Sequence, residues 1–226
     1  METGKLFVVA TPIGNLEDIT FRGVRVLKET DLIACEDTRV TKKLTSHYSI
    51  GTQLISFHQH SKLQKFDYLV GEMRAGKNVA LVTDAGTPGV SDPGNMLVEK
   101  AVNNGIQVVA IPGASALASI VSIAGIDLQM FTFLGFPPHK KGREKFFKQI
   151  IASELPVIYY ESPHRVIKNL QMLQDLGSAK KIIIGRELTK MFEEVVRGTV
   201  EEVLKYFLQH KDKVKGEFAV VAFSHF

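Results

Sequence analysis

The sequence has very little cysteine and no long hydrophobic run. Its 226 residues include a single cysteine, Cys35, which excludes a disulfide framework and a cysteine-based zinc site and is typical of a reducing compartment. The most apolar stretch, residues 116–126, is interrupted by serines and is far shorter than the about 20 residues that a membrane span needs. The first five residues lack the basic region of a signal peptide. We therefore expect a soluble, cytoplasmic protein with no membrane segment.

Neither sign of charge dominates the chain, but its small positive excess is concentrated. The 28 Lys and Arg residues face 24 Asp and Glu, and 45% hydrophobic with 23% charged residues excludes a disordered chain. Residues 1–115 hold 12 basic and 12 acidic side chains, so the whole excess lies in residues 116–226. Residues 137–148 alone contain five basic side chains and one acidic side chain.

Short β-branched runs alternate with helical patterns through the first half of the chain. The predicted strands cover residues 5–11, 32–35, 53–57, 78–84 and 107–111. The predicted helices between them cover residues 22–28, 40–47, 63–74 and 95–103. This alternation predicts an α/β fold with a mainly parallel sheet that is covered on both faces.

A helix of small residues, predicted over residues 114–124, separates this half from a second set of elements. Further strands are predicted over residues 131–136, 157–160, 181–186, 194–197 and 218–223. Helices are predicted over residues 165–176 and 200–209. Because some of these strands follow one another directly, the second sheet is expected to be mixed. The chain is therefore predicted to form two α/β domains, residues 1–116 and 117–226.

Three strands of the first half end in loops rich in glycine and proline, at residues 11–15, 84–94 and 111–115. The carboxyl ends of parallel strands share one edge of a sheet, where open α/β sheets bind ligands. Together the loops predict a binding site. The dinucleotide pattern G-x-G-x-x-G is absent after the first strand. Residues 71–77 match a phosphate-loop pattern, but Gly76 is better explained as the end of a helix.

The second loop indicates the charge of the ligand. It contains Asp84 and Asp92 and no Lys or Arg, so it would repel a polyphosphate. A ligand with cationic character, such as S-adenosylmethionine, fits this loop better. Asp92 and Pro93 are predicted to cap and begin the next helix, which leaves Asp84 as the more open carboxylate.

Eight motifs carry a family resemblance. They are V-A-T-P-I-G-N-L-E-D-I-T (9–20), A-C-E-D-T-R (34–39), L-V-T-D-A-G-T-P-G-V-S-D-P-G (81–94), I-P-G-A-S-A (111–116), F-L-G-F-P-P (133–138), Y-E-S-P-H-R (160–165), G-R-E-L-T-K (185–190) and K-G-E-F (215–218). In this order they resemble the bacterial ribosomal RNA small-subunit methyltransferase I family, a member of the tetrapyrrole-methylase superfamily.

The resemblance implies methyl transfer from S-adenosylmethionine to the ribose 2′-hydroxyl of a cytidine in the decoding region of small-subunit (16S) rRNA. It also implies a homodimer of two-domain chains with the cofactor in the cleft between the domains, acting on rRNA or the 30S subunit. The positions in matching cofactor motifs are Pro12, Asp84, Ala85, Gly86, Ser91, Ser115 and Ala116, and from the second domain Phe133, Tyr160 and Glu217.

Methylating a hydroxyl requires in-line positioning and removal of a proton, with no metal in principle, so a charged side chain should project toward the methyl group. Our catalytic candidates are Glu36 and Arg39 after the second strand, and Arg186 and Glu187 at the end of a later strand. The general base stays unassigned. A structural ion pair with a helix cap is the alternative for the first pair, and a buried ion pair is the alternative for the second.

Two further clusters have structural explanations. His58 and His60 lack a third metal ligand in the sequence pattern and are interpreted as solvent-facing loop residues. Ser162 and Pro163 are predicted to cap and begin a helix, which leaves Glu161 and Arg165 unexplained. We therefore predict no metal site.

The basic segment is predicted to bind RNA through Lys140, Lys141, Arg143, Lys145 and Lys148. Gly142 marks the start of a helix here, and cations in a first helical turn oppose the helix dipole unless phosphates contact them. A solvated helix face is the alternative.

Two other functions remain open at this point. A methylase of tetrapyrroles or other small substrates on the same fold has no need of the basic segment. A non-catalytic RNA-binding assembly protein would not bind S-adenosylmethionine.

Overall fold

The structure, a computed structural model, describes residues 3–57, 63–92 and 94–224. Its contacts divide the chain into two compact units, Met1–Ser115 and Ala116–Phe226. Each unit has one five-stranded sheet, which is parallel in the first unit and mixed in the second. This confirms the predicted α/β fold class.

Strands and helices alternate along the first unit. They are β1 (Leu6–Val9), α1 (Phe21–Glu29), β2 (Leu32–Cys35), α2 (Thr38–His47), β3 (Gln53–Ser56), α3 (Leu63–Arg74), β4 (Val79–Val82), α4 (Asn95–Asn103) and β5 (Val108–Ile111), with a 3-10 turn at Leu16–Asp18. The strand order is β3-β2-β4-β1-β5, and every pair is parallel. The central strands β2 and β4 are buried throughout, which explains why their sequences are continuous apolar runs.

Helices cover both faces of this sheet. Val26 and Leu27 of α1 and Leu44 of α2 pack in a cluster on one face. Phe66 of α3 and Leu97 of α4 pack in a second cluster on the other face. Helices on both faces leave the strand ends as the accessible edge of the sheet, so the loops there are the natural place for a site.

The second unit begins with a helix and builds its sheet from distant parts of the chain. Its elements are α5 (Ala116–Ile123), β6 (Thr132–Phe133), α6 (Arg143–Ala152), β7 (Val157–Glu161), α7 (Val166–Asp175), β8 (Lys181–Arg186), β9 (Glu194–Thr199), α8 (Val200–Gln209) and β10 (Phe218–Phe223), with a 3-10 turn at Lys211–Lys213. The strand order is β6-β7-β10-β8-β9, with only β6 and β7 parallel. Phe147, Leu170 and Phe207 join the three later helices to the sheet in one core.

The predicted helix cap at Asp92 is wrong. Helix α4 begins at Asn95, with Gly94 in the cap position. The Asp92 carboxylate instead accepts hydrogen bonds from the backbone N–H groups of Gly89 (2.8 Å) and Gly94 (2.7 Å). Pro93 lies outside the described residues. The loop uses this aspartate to close on itself, which a local capping pattern does not reveal.

The predicted cap at Ser162 is also wrong. Helix α7 begins at Val166 after a turn, and Arg165 occupies the cap position. The backbone carbonyl of Ser162 accepts from the N–H groups of Arg165 and Val166, both at 3.1 Å. The hydroxyl accepts from Arg165 Nε at 3.1 Å. A side-chain contact with arginine therefore replaces the expected cap.

The strand predicted over residues 131–136 is shorter than expected. The strand β6 covers Thr132 and Phe133 at the edge of the sheet, and two backbone hydrogen bonds continue its pairing with β7, from the Leu134 N–H to the Ile158 carbonyl and from the Tyr160 N–H to the Gly135 carbonyl, both at 2.9 Å. Among the described residues, no helix has the length and apolar character to cross a membrane.

Candidate functional site

The loops after β1 and β4 are tied together by a two-residue bridge. The N–H and carbonyl groups of Thr11 pair with the carbonyl (2.9 Å) and N–H (3.0 Å) groups of Gly86. The buried Thr11 hydroxyl donates to the Thr83 carbonyl at 3.0 Å. Gly86 has φ +83°, and a Cβ there would lie 3.3 Å from Cγ2 of Ile13. A glycine is therefore needed where the second loop approaches the first.

The third loop lies against the same assembly. The Thr87 hydroxyl donates to the Ala114 carbonyl at 3.0 Å. A Cβ on Gly113 would lie 3.0 Å from Cβ of Ala10, so the backbones after β1 and β5 are close. The three loops thus form one surface at the carboxyl ends of neighbouring strands. Pro12, the 84–86 segment and Ser115 belong to it; their role as cofactor contacts stays a prediction.

Asp84 is the exposed carboxylate of this surface. It accepts a hydrogen bond from the backbone N–H of Asp37 at 3.0 Å. Partial burial and the nearby negative charge of Asp37 raise the pKa of Asp84, against the opposing effects of that N–H and of Arg39. A cation placed beside Asp84 would relieve this unfavourable environment.

The residues after β2 form an ion pair and a helix cap, which were the structural alternative to a catalytic role for Glu36 and Arg39. Asp37 caps α2 by accepting from the Arg39 N–H at 2.8 Å, and its carboxylate pairs with the Arg39 guanidinium at 2.6 Å. Hydrogen bonds from Arg39 lower the pKa of Asp37 to about 2. Glu36 accepts from the Thr83 hydroxyl at 3.4 Å. Glu36 therefore lies beside the second loop, whereas Arg39 is engaged by its neighbour.

The second loop also contains a non-glycine residue with left-handed backbone geometry. Ser91 has φ +64° and is exposed, and Gly89 has φ +90°. Left-handed geometry at a serine is uncommon and often marks a functional turn. The cofactor role of Ser91 stays a prediction.

In the second unit, Tyr160 joins three of the predicted contact segments. Its ring lies 5.1 Å from that of Phe133 and 5.4 Å from that of Phe136. Its hydroxyl accepts from the backbone N–H of Leu117 at 3.1 Å, next to Ala116 at the start of α5. This aromatic group forms because β6 and β7 are parallel neighbours.

Glu187, Lys190 and Glu217 form an ionic cluster after β8. Lys190 Nζ lies 2.8 Å from Glu187 and 3.1 Å from Glu217. Burial opposes ionisation of Glu187, but hydrogen bonds from Lys190 and from the N–H of Glu217 outweigh it and lower its pKa. Glu187 has φ +51°, and a Cβ on Gly216 would collide with its carboxylate. This glycine is therefore required for the cluster to form.

Arg186 does not join that cluster through its guanidinium. It is buried and donates to the backbone carbonyls of Lys215 (3.1 Å) and Phe192 (3.0 Å). Its visible role is to hold two chain segments at the end of β8. Its catalytic role stays a prediction, as does that of Glu187.

The basic segment is a turn followed by a helix. Gly142, with φ +89°, precedes α6 as predicted. Lys148 pairs with Glu144 at 2.6 Å, while Lys140, Lys141 and Lys145 are exposed. The segment thus presents cations to solvent without a compensating acidic row.

Sequence reasoning missed the side chains that tie the loops of the first unit together and the side chain that binds Glu161 in the second unit. The hydroxyls of Thr11 and Thr87 cross between loops, and Asn169 binds the buried carboxylate of Glu161. Threonines in two of the loop motifs were the available signal. His58 and His60 lie outside the described residues. Within the described residues, no three His, Cys, Asp or Glu side chains cluster as metal ligands would.

Comparison with known proteins identifies the family. The family model of tetrapyrrole (corrin/porphyrin) methylases matches residues 5–204. The chain is 45% identical over 222 residues to the ribosomal RNA small subunit methyltransferase I of Halalkalibacterium halodurans, covering 97% of this chain and 76% of that protein. It is 42% identical over 221 residues to the Bacillus subtilis protein of the same name, covering 97% of this chain and 75% of that protein.

Solved structures show the same fold at low identity. A diphthine synthase matches with a TM-score of 0.77 at 15% identity, over 98% of this chain and 90% of that chain. A cobalt precorrin-4 methyltransferase matches with a TM-score of 0.66 at 18% identity, over 97% of this chain and 94% of that chain. The family model and the relatives show that the chain belongs to the tetrapyrrole methylase family and, within it, to the ribosomal RNA small subunit methyltransferase I family.

Proposed function

We propose that this chain transfers a methyl group from S-adenosylmethionine to the ribose 2′-hydroxyl of a cytidine in the decoding region of small-subunit rRNA. The observation that carries the proposal is the joined surface of three loops in the first unit, which offers backbone groups and the exposed carboxylate of Asp84. The relatives' names support an rRNA substrate.

The donor set of the first unit fits this methyl donor. Asp84 suits an ammonium or sulfonium group, and the loop backbone at Ala85, Gly86 and Ser115 suits polar groups of a nucleoside and amino acid. A bound S-adenosylmethionine supplies an electrophilic methyl group on a sulfonium. Ala116, Phe133, Tyr160 and Glu217 remain the contacts that the resemblance proposes from the second unit.

The chain's own contribution is to hold the donor and to order the approach of the hydroxyl. Positioning of this kind supplies about 7–11 kcal/mol of such a barrier. A general base works best with a pKa near the operating pH, so the lowered pKa of Glu187 makes it a poor base. Glu36, next to the Asp84 loop, is the better candidate to orient the reacting groups.

RNA is proposed to dock on the basic segment. Lys140, Lys141 and Lys145 are exposed there and suit phosphate contacts, whose contribution falls as salt rises. The substrate is either rRNA or the assembled 30S subunit, and the enzyme is proposed to act as a homodimer.

Binding of the donor is tested by calorimetry with S-adenosylmethionine. Asp84→Asn is expected to weaken binding about ten- to a hundredfold, because a charge-assisted contact contributes about 1.5–3 kcal/mol. Asp67→Asn is the matched control: Asp67 is also in the first unit, and its side chain is 70% exposed. Wild-type protein that binds no S-adenosylmethionine would refute the proposal and favour a non-catalytic RNA-binding protein.

The methyl acceptor is tested by offering 30S subunits, free 16S rRNA and uroporphyrinogen with labelled donor. Labelling of a cytidine ribose, mapped by nuclease-resistant dinucleotides, is the expected result. Labelling of uroporphyrinogen alone would make the protein a small-molecule methylase on the same fold.

A further inference from the structure

The turn before α6 has a restricted backbone although its two lysine side chains are exposed. We call residues 137–142 the basic turn. Pro137 and Pro138 each fix their own φ and supply no N–H group, and Gly142 turns the chain into α6 with φ +89°. Lys140 and Lys141, which the turn carries between them, are exposed. The two cations thus extend from a backbone with few accessible conformations.

Two arginine side chains hold the carbonyl groups of this turn. Arg143 donates from Nε to the Pro138 carbonyl at 3.2 Å and from Nη2 to the His139 carbonyl. Arg165 donates from Nη1 to the Pro137 carbonyl at 3.4 Å. Three consecutive carbonyl groups are therefore bound by guanidinium groups, one of which comes from the start of a different helix.

The Arg165 side chain is itself held by Ser162 and Glu161. Its Nε donates to the Ser162 hydroxyl at 3.1 Å and lies 3.6 Å from Glu161 Oε1. The Glu161 side chain is 1% exposed and also accepts from the Ser162 N–H (2.7 Å) and from Asn169 Nδ2. The Arg165 side chain is only 14% exposed. A buried carboxylate thus fixes an arginine that faces the turn more than it faces solvent.

We propose that Arg165, oriented by Glu161, is a positioning residue for RNA binding. It fixes the basic turn so that Lys140 and Lys141 meet phosphates, and it does not itself contact the RNA. A preformed turn lowers the cost of ordering these side chains on binding. This inference rests on the proposed function, since the polyanion is the proposed substrate.

The test compares variants that change the turn with variants that change its charge. Lys140→Ala with Lys141→Ala is expected to lower the salt slope of rRNA binding by about 1.4–1.8, because each phosphate contact contributes about 0.7–0.9. Arg165→Lys keeps the net charge but cannot span the same acceptors with one ammonium group. We expect it to weaken rRNA binding about three- to tenfold and to lower the slope.

Controls separate this effect from charge and from folding. Arg165→Gln and Lys168→Gln each remove one positive charge, three residues apart, and Lys168 is exposed on α7. Only the Arg165 variant should lower the slope by more than the loss of one remote charge. If Arg165→Gln fails to fold, because it leaves the buried carboxylate of Glu161 without its cation, Arg165→Lys carries the test. Affinity for S-adenosylmethionine should stay within twofold of wild type in Arg165→Lys.

A double-mutant cycle decides the mechanism. Adding Arg165→Lys to the Lys140→Ala, Lys141→Ala protein should cause no further loss of rRNA affinity, because the residues act through one another. Additive losses would mean that Arg165 contacts RNA directly and would overturn the positioning role, as would a lowered Tm with unchanged rRNA binding. Wild-type protein without salt-dependent rRNA binding would overturn the proposed function and this inference together.

Discussion

The Thr11 hydroxyl offers a sharp test of how the loop surface is held together. It is 3% exposed and donates to the Thr83 carbonyl at 3.0 Å, beside the backbone pair between Thr11 and Gly86. Thr11→Val keeps the shape of the side chain and both backbone hydrogen bonds while it removes this donor. Thr11→Ser keeps the donor and removes one methyl group.

The expected magnitudes follow from these contacts. Thr11→Val loses a buried hydrogen bond worth about 1 kcal/mol and deprives the Thr83 carbonyl of this donor, so the free energy of unfolding should fall by about 1–3 kcal/mol. Thr11→Ser should cost about 0.5–1.5 kcal/mol through the lost methyl group. These ranges overlap, so stability alone does not separate the two variants, which differ in whether the side chain of residue 11 still binds the end of β4.

Urea denaturation and calorimetry with S-adenosylmethionine measure the two quantities separately. Thr11→Val should weaken the binding of S-adenosylmethionine about three- to tenfold, which corresponds to about 0.7–1.4 kcal/mol. Thr11→Ser should bind S-adenosylmethionine like wild type. Equal donor affinity in all three proteins would refute the idea that this hydroxyl organises the site. Equal weakening in both variants would assign the effect to methyl packing instead.

Three further outcomes are expected. Gly86→Ala should destabilise the protein by about 1–2 kcal/mol, because φ +83° is unfavourable for alanine; a free energy of unfolding equal to wild type contradicts this. Hydrogen bonds from Lys190 and from the Glu217 N–H outweigh burial and lower the pKa of Glu187 from its ordinary value of 4.5. The ionised carboxylate therefore stabilises the fold at pH values above 4.5, and this contribution is lost as the pH falls through the lowered pKa. Lys190→Met should therefore show a shallower loss of stability on acidification, and a profile parallel to wild type would rule this out. Phe147→Ala, at a fully buried site in the second core, should cost about 3–5 kcal/mol by urea denaturation; a cost under about 1 kcal/mol would show that the core collapses around the cavity.

Local patterns were enough to predict most of the elements. Helices over 63–74, 95–103 and 200–209 and strands over 32–35, 181–186 and 218–223 match the structure at both ends. Periodicity and β-branched runs are local properties, so one sequence reveals them. The caps at Asp92 and Ser162 were mispredicted because the helices begin later than the capping pattern indicates, and each side chain binds another neighbour within three residues.

The first loop motif shows which features of the candidate site follow from the sequence and which follow from the tertiary structure. The Gly/Pro loops could be placed at one sheet edge from the sequence, since parallel strands end together. The hydroxyl of Thr11 could not be assigned, because its acceptor at Thr83 is 72 residues away in the chain. Likewise, Glu187 was a catalytic candidate without an assigned role, and only the structure shows that its carboxylate is paired with Lys190.

The sequence by itself determined the fold class, the family motifs and the position of the basic segment, because these depend on residue type and spacing along the chain. Tertiary structure decided which charges are engaged. It set Arg186 on the backbone carbonyl of Lys215 and turned Arg165 toward the basic turn. Those choices depend on distances between segments remote in sequence, and a charge's pKa and reach follow from its neighbours in space.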